Sequence, residues 1–156
     1  MEQRQMRRSD RLMEDQEARA ILERGDYGVL ATISEDQTPY CVGINYVVDG
    51  DRIYFHSAPE GHKIDNIQNN PALCLTVVEK VHIKPEQFTA DFDSVVAFGS
   101  GRILKDIREI TIPLTKLCEK YSAGFMDKVP QMIRASAGKV VVIEMVISRL
   151  TGKRHV

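Results

Sequence analysis

The chain of 156 residues is 43% hydrophobic and 28% charged, a composition that suits one domain with a sizeable core. With 21 basic and 22 acidic residues the net charge is -1, so the balance does not point to nucleic acid as the main partner. No apolar run approaches the roughly 18 to 20 residues that a membrane span needs, and no apolar segment of a secretory signal follows the basic opening MEQRQMRRSDR.

Residues 1–12 carry Arg4, Arg7, Arg8 and Arg11 and read as an N-terminal basic arm, either a solvated tail or a segment lying over a partner subunit. Residues 13–156 read as a single domain. A helix is expected from Glu14 to Arg24, with acidic residues in its first turn, Ala18, Ile21 and Leu22 as its apolar stripe and Gly25 as its stop. The pattern then becomes extended. Strands are expected at Tyr27–Ile33, Tyr40–Val48 and Arg52–His56, with SEDQTP and DGD as the turns between them. A short helix ends at Pro71, and Ala72–Glu79 is a fourth strand. Lys84–Phe92 reads as a polar loop. Ser94–Leu104 is a fifth strand whose Gly99 and Gly101 signal a bulge or a close backbone approach. Helices are expected over Lys105–Tyr121 and Lys128–Ala135. Lys139–Ile147 is a sixth strand, followed by the tail SRLTGKRHV. Six short strands joined mostly by tight turns make an antiparallel barrel or sandwich, a mainly β fold with flanking helices.

The three cysteines, Cys41, Cys74 and Cys118, show no CxxC spacing. The expectation is a reducing cytoplasm with neither a disulfide framework nor a zinc site, and with Cys41 and Cys74 acting as small hydrophobes inside apolar runs. No dinucleotide fingerprint, P-loop, HExxH or GxSxG motif is present.

The informative stretch is YFHSAPEGHKIDNIQNNP, residues 54–71, where a strand hands over to a helix. His62 and Lys63 fall in the first turn of that helix, where a positive charge is unfavourable by about 0.3 to 1 kcal/mol. A bound anion reverses the sign. Free helix N–H groups, the Ser57 hydroxyl and the Lys63 ammonium then form a phosphate cradle, with Gly61 admitting the ligand close to the backbone. The alternative is a solvated Lys63 and a surface His62 on a short amphipathic helix with Ile64 and Ile67 facing the core. His56 likewise reads either as a hydrogen-bonded structural residue or as a functional one.

The same stretch, extended to YFHSAPEGHKIDNIQNNPALC, resembles the phosphate-binding segment of the pyridoxamine-phosphate-oxidase-like flavoproteins, and most of all the branch that includes nitroimidazole-resistance (Nim) proteins. MRRSDR before the first helix, PYCVGINYVVDGDRIYFHSA, SVVAFGSGRIL and SRLTGK agree in the same order, so the similarity spans residues 6–153. The resemblance implies a six-stranded antiparallel split β-barrel that binds FMN at the interface of a homodimer. It places Val42, Gly43, Ile44 and Asn45 along the isoalloxazine ring, many through the backbone, with Phe55 and His56 beside the flavin or its ribityl chain. Ser57, His62 and Lys63 then match the positions that hold the 5'-phosphate, next to the Gly61 already read as admitting the ligand. His62 and Lys63 stand where the oxidase itself has an Arg–Lys pair, and histidine brings less charge and no fork.

By the same resemblance His56 matches a histidine next to the redox centre of the Nim branch. It is the expected catalytic residue, donating a proton or positioning the substrate. The implied activity is FMN-dependent reduction of a small organic acceptor such as a nitroaromatic. Alternatives are an FMN-binding or storage protein without turnover, or the same barrel carrying haem or a deazaflavin, with His56, His62 or His82 as the available axial ligands. The tail SRLTGKRHV lacks the spaced arginine and histidine with which the oxidase grips pyridoxamine phosphate, which argues against vitamin B6 oxidation. No metal, nucleic acid or membrane partner is expected.

Overall fold

The computed structural model describes residues 6–156, so the first five residues of the expected arm lie outside the described part. Ser9–Arg11 form a single 3-10 turn, and Leu12 then bridges to Lys153. Helix α1 (Asp15–Arg24) buries Ala18, Ile21 and Leu22 and stops at Gly25, whose N–H donates to the Ile21 carbonyl. The remaining elements are β1 (Gly28–Ile33), β2 (Pro39–Ile44), β3 (Val47–Asp49), β4 (Arg52–Ser57), α2 (His62–Asn69), β5 (Ala72–Lys84), β6 (Thr89–Leu104), α3 (Ile107–Tyr121), α4 (Val129–Ala135) and β7 (Val141–His155).

The described residues form seven strands rather than six. The apolar run Tyr40–Val48 does not continue as one strand but breaks at Asn45–Tyr46. β2 pairs with β1, from Gly28↔Ile44 to Ile33↔Pro39, whereas β3 pairs with β4, from Val47↔Tyr54 to Asp49↔Arg52. All pairings are antiparallel, in the order β2-β1-β5-β6-β7-β4-β3. β2 and β3 are therefore opposite edges of one sheet, yet only two residues separate them in the chain. Three Cα–Cα steps of about 3.8 Å bring those edges within about 11 Å at this point. A sheet of this width can meet that limit only by curling on itself. The result is a barrel left open between β2 and β4, a split β-barrel.

The barrel interior is filled by Leu30, Ile53, Phe55, Leu75, Ile143 and Met145, closed at one end by α1. A second cluster, with Tyr54, Ile110, Leu117, Ile133 and Val142, lies outside the barrel where α3 and α4 cover β4 and β7. Strands covered on both faces read as continuous apolar runs rather than alternating ones, which is the pattern of IYF in β4 and VVIEM in β7.

Two segments expected as loop or tail are strands. β5 and β6 extend into a hairpin that includes His82, paired with Asp91, after a bulge at which Lys80 takes φ 53°. SRLTGKRH completes β7, pairing with β6 as far as Phe92↔His155. Gly152 of that strand lies under α1, where a Cβ would stand 2.7 Å from Ala18 Cβ and 2.8 Å from Met13 Cβ. Arg154 grips the buried Asp93 with Nε at 2.7 Å and Nη2 at 2.9 Å, and its Nη1 reaches Glu17 of α1 at 2.6 Å. The bulge read from Gly99 and Gly101 is present, between Phe98 and Gly99 in the β6–β7 pairing. Cys41 departs from its reading as a small core hydrophobe. It is exposed on the outward face of β2, beside Ala31, while Cys74 is half-buried on the other side of the same alanine.

Candidate functional site

The opening of the barrel brings the sequence-predicted residues to its rim. β2 is an edge strand, with β1 on one side and no strand on the other. β4 pairs with β7 along its whole length, but β3 covers its other side only as far as Tyr54. The backbone of Phe55, His56 and Ser57 therefore borders the split from one side and that of Val42, Gly43 and Ile44 from the other. Edge N–H and C=O groups are free to pair with whatever enters.

The side chains divide. Phe55 is fully buried and Ile44 nearly so, both in the barrel core, and Val42 packs against that core, so these three can meet a ligand only through their backbone. Gly43 is exposed on the outward face, where a Cβ would stand 2.7 Å from Tyr27 Cε1. Asn45 is half-buried and donates through Nδ2 to the Asp26 carbonyl at 3.2 Å. His56 is exposed, and its ring makes no hydrogen bond to the described residues. Asn45 and His56 line one cavity of about 210 Å³, closed on the far side by α3 and α4.

Ser57 differs from its neighbours. Its residue is 6% exposed, and its Oγ is buried without any hydrogen-bond partner. Buried polar groups are nearly always paired, so an orphaned hydroxyl signals an absent partner. A few residues on, Gly61 takes φ 127°, a conformation open to glycine, and caps α2 through its carbonyl, which accepts from the N–H groups of Ile64 (2.8 Å) and Asp65 (3.1 Å). No side chain caps α2, which leaves the N–H groups of His62 and Lys63 at its start without a capping side chain. Lys63 is half-buried and has no ion pair or side-chain hydrogen bond among the described residues. An orphaned hydroxyl, an uncapped helix start and an unpaired ammonium lie within seven residues, and all three present donors. This donor set fits a phosphate.

His62 is partly committed elsewhere. Its Nε2 is hydrogen-bonded to Ser34 Oγ at 2.9 Å, and its ring lies 4.2 Å from that of Tyr40, tilted by 37°. Asn66, one turn further, is buried at 3% exposure and donates to Thr32 Oγ1 (2.9 Å) and Ser34 Oγ (3.4 Å). These contacts pin α2 to the end of β1. Sequence reading missed Thr32, Ser34, Tyr40 and Asn66. The one available signal was Asn66 itself, a polar residue on the stripe that Ile64 and Ile67 turn toward the core. Outside this ladder, Glu35, Asp36 and Asp65 line an acidic hollow of about 550 Å³.

A second group that sequence reading missed clamps the crossover. The Tyr46 N–H donates to Tyr121 Oη at 3.1 Å, and that hydroxyl lies 2.7 Å from the carbonyls of both Asp26 and Tyr46. Lys120 Nζ donates to the carbonyls of Gly25 (2.6 Å) and Tyr46 (3.1 Å). Burial pushes the Lys120 ammonium below its ordinary pKa and the Tyr46 phenol above its own. The end of α3 thus holds α1, β1 and the β2–β3 crossover in one place, which keeps the rim of the split fixed. Among the described residues, no group of three or more His, Cys, Asp or Glu is placed to hold a metal ion, and no helix is long and apolar enough to cross a membrane.

Comparison with known proteins agrees with this fold. The chain is 39% identical over 151 residues to the uncharacterized protein RA0666 of Rhizobium meliloti (strain 1021), covering 92% of this chain and 93% of that one. The fold is shared with a candidate 5-nitroimidazole antibiotic resistance protein from Bacteroides thetaiotaomicron VPI-5482, at a TM-score of 0.74 and 21% identity, over 92% of this chain and 86% of that one. It is also shared with the flavocytochrome Anf3 from Azotobacter vinelandii, at a TM-score of 0.78 and 19% identity, over 97% and 72% of the two chains. A family profile described as pyridoxamine 5'-phosphate oxidase matches residues 14–154, almost the whole described chain, and the protein belongs to that family.

Proposed function

We propose that the split of the barrel holds FMN and that the protein is an FMN-dependent oxidoreductase reducing a small organic acceptor. The observation that carries this reading is the buried, unpartnered Ser57 hydroxyl beside an uncapped helix N-terminus and an unpaired Lys63. Each of the three can donate to a phosphate. The two structural neighbours named for nitroimidazole resistance and for a flavocytochrome point the same way.

Each group has a definite task in this reading. Ser57, the first-turn N–H groups of α2 and Lys63 hold the phosphate, while His62, engaged with Ser34, orients the helix start. The free edge of β2 at Val42, Gly43 and Ile44 offers backbone donors and acceptors to a planar heterocycle, and Asn45 closes its end. When bound, the flavin supplies the two-electron chemistry. His56, exposed at the rim with both ring nitrogens free, donates the proton that the reduced acceptor takes up.

The protein works as a homodimer in the same reading. The outward face of the sheet carries Val29 at 43%, Val78 at 53% and Phe98 at 38% exposure, with Ala31, Cys41 and Cys74 between them. An apolar sheet face of this kind is an association surface, and a second copy covers it. Light scattering should return twice the chain mass, and a monomer that still binds FMN tightly would refute the dimer.

The test of function is optical. Purified protein titrated with FMN should show a perturbed flavin spectrum. Added NADH or NADPH should bleach it, and a nitroaromatic should restore it. Binding without bleaching by either donor would reduce the reading to a flavin-binding protein. A colourless protein that ignores FMN would remove it.

A further inference from the structure

The cavity of about 210 Å³ between α3 and α4 is not needed for the phosphate cradle or for the β2 edge, yet it opens on the same rim, through Asn45 and His56. Leu114, Leu117, Met132 and Val140 supply its apolar walls. No lysine, arginine or carboxylate is among its lining residues, so a charged ligand would lose its hydration there without a counter-ion. Its size is that of one ring, since an apolar cavity of about 150 Å³ accommodates benzene.

The polar groups at the cavity are mostly spent. Asn45 donates to Asp26, the Tyr121 hydroxyl is shared between Asp26 and Tyr46, and Ser136 donates to the Met132 carbonyl. Three polar lining side chains have no hydrogen bond among the described residues, the His56 ring, the Ser122 hydroxyl and the weakly donating Cys118 thiol; the first two are the stronger hydrogen-bonding groups. Both can donate.

We propose that this α3–α4 cavity binds a neutral, single-ring aromatic compound carrying one hydrogen-bond-accepting substituent, with the ring between Leu117 and Met132 and the acceptor held by His56 and Ser122. Its role as the substrate pocket rests on the flavin reading, because His56 is common to both sites. The binding itself does not. The Met132 thioether is suited to the edge of an aromatic ring. Phosphorylated or otherwise charged rings are excluded by the same walls that admit neutral ones.

The experiment is fluorine NMR of para-fluoroacetophenone with the full chain and no added flavin. Saturable broadening of the probe signal, reversed by unlabelled acetophenone, is expected. Met132→Trp fills the cavity from α4 at a position 38% exposed, and Ser136→Leu narrows it from the end of that helix. Either should abolish the broadening while leaving the melting temperature near wild type. Ser122→Ala should weaken binding by about threefold to tenfold, the loss of one neutral hydrogen bond. Lys63→Ala should leave probe binding unchanged. Undiminished broadening in both filled variants, or no saturable broadening with wild type, overturns the proposal. FMN that fails to bind a wild-type protein that does bind the probe refutes the flavin reading and leaves the pocket. FMN bound without the probe refutes the pocket alone.

Discussion

Replacing Lys63 by alanine separates the phosphate reading from a purely structural one, because the two predict opposite signs. In the flavin-free protein Lys63 sits in the first turn of α2, where no carboxylate among the described residues pairs with it and the helix dipole opposes its charge. Removing it should leave the stability of the free protein unchanged or raise it by about 0.3 to 1 kcal/mol. With FMN present the same ammonium meets a phosphate. A charge-assisted hydrogen bond contributes about 1.5 to 3 kcal/mol, and Lys63 is half-buried, so solvent screening is incomplete. The expected loss of FMN affinity is about tenfold to a hundredfold. Quenching of flavin fluorescence gives the dissociation constants, and thermal melting without flavin gives the stability. An unchanged dissociation constant would refute the phosphate assignment. A marked loss of stability in the free protein would show that Lys63 is a structural residue.

Ser57→Ala removes a buried hydroxyl that has no partner, so the free protein should melt at the same temperature or higher while FMN binding weakens by about threefold or more; a destabilised free protein would mean that Oγ is satisfied internally. Asp93 is 2% exposed and its carboxyl is held at about 2, below the ordinary carboxylate value, chiefly by the Arg154 guanidinium and then by Lys80. A carboxylate whose folded pKa is depressed stabilises fully above its ordinary value and loses that contribution as pH falls toward the folded one. Arg154 and Lys80 are themselves partly exposed, so the stabilisation is discounted to about 1 to 2 kcal/mol, lost between about pH 4 and pH 2. In Asp93→Asn, the acid-side fall in denaturation free energy should flatten by that amount; an unaltered pH profile would refute the assignment. Gly152→Ala places a methyl group against Ala18 and Met13 and should destabilise by about 1 to 3 kcal/mol in urea denaturation; a neutral result would mean that α1 shifts freely over β7.

Much of the barrel was legible locally. α1 announces itself through Ala18, Ile21, Leu22 and Gly25, and the DGD turn appears as the two-residue link between Asp49 and Arg52. These signals depend on residues a few positions apart. Two of the errors fell where a distant partner decides. Nothing in YCVGINYVV marks the break at Asn45–Tyr46, because the break exists to carry the chain from one sheet edge to the other, and Lys120 and Tyr121 hold it from about 75 residues away. SRLTGKRH looks like a polar tail, and it becomes a strand because β6 offers it a continuous ladder and Arg154 finds Asp93.

The candidate site divides in the same way. Local sequence determined which residues of the proposed cradle stand together, since Ser57, Gly61 and Lys63 lie within seven residues and the helix start between them follows from their order. Only the tertiary structure decided that Ser57 is buried and unpartnered, that His62 is drawn toward Ser34 and Tyr40, that Phe55 turns into the core while His56 faces the rim, and that α3 and α4 leave a neutral cavity beside it. Burial and the absence of a partner belong to the whole packed chain. A sequence can specify which donors stand together, but whether they remain unsatisfied depends on what every other segment brings to them.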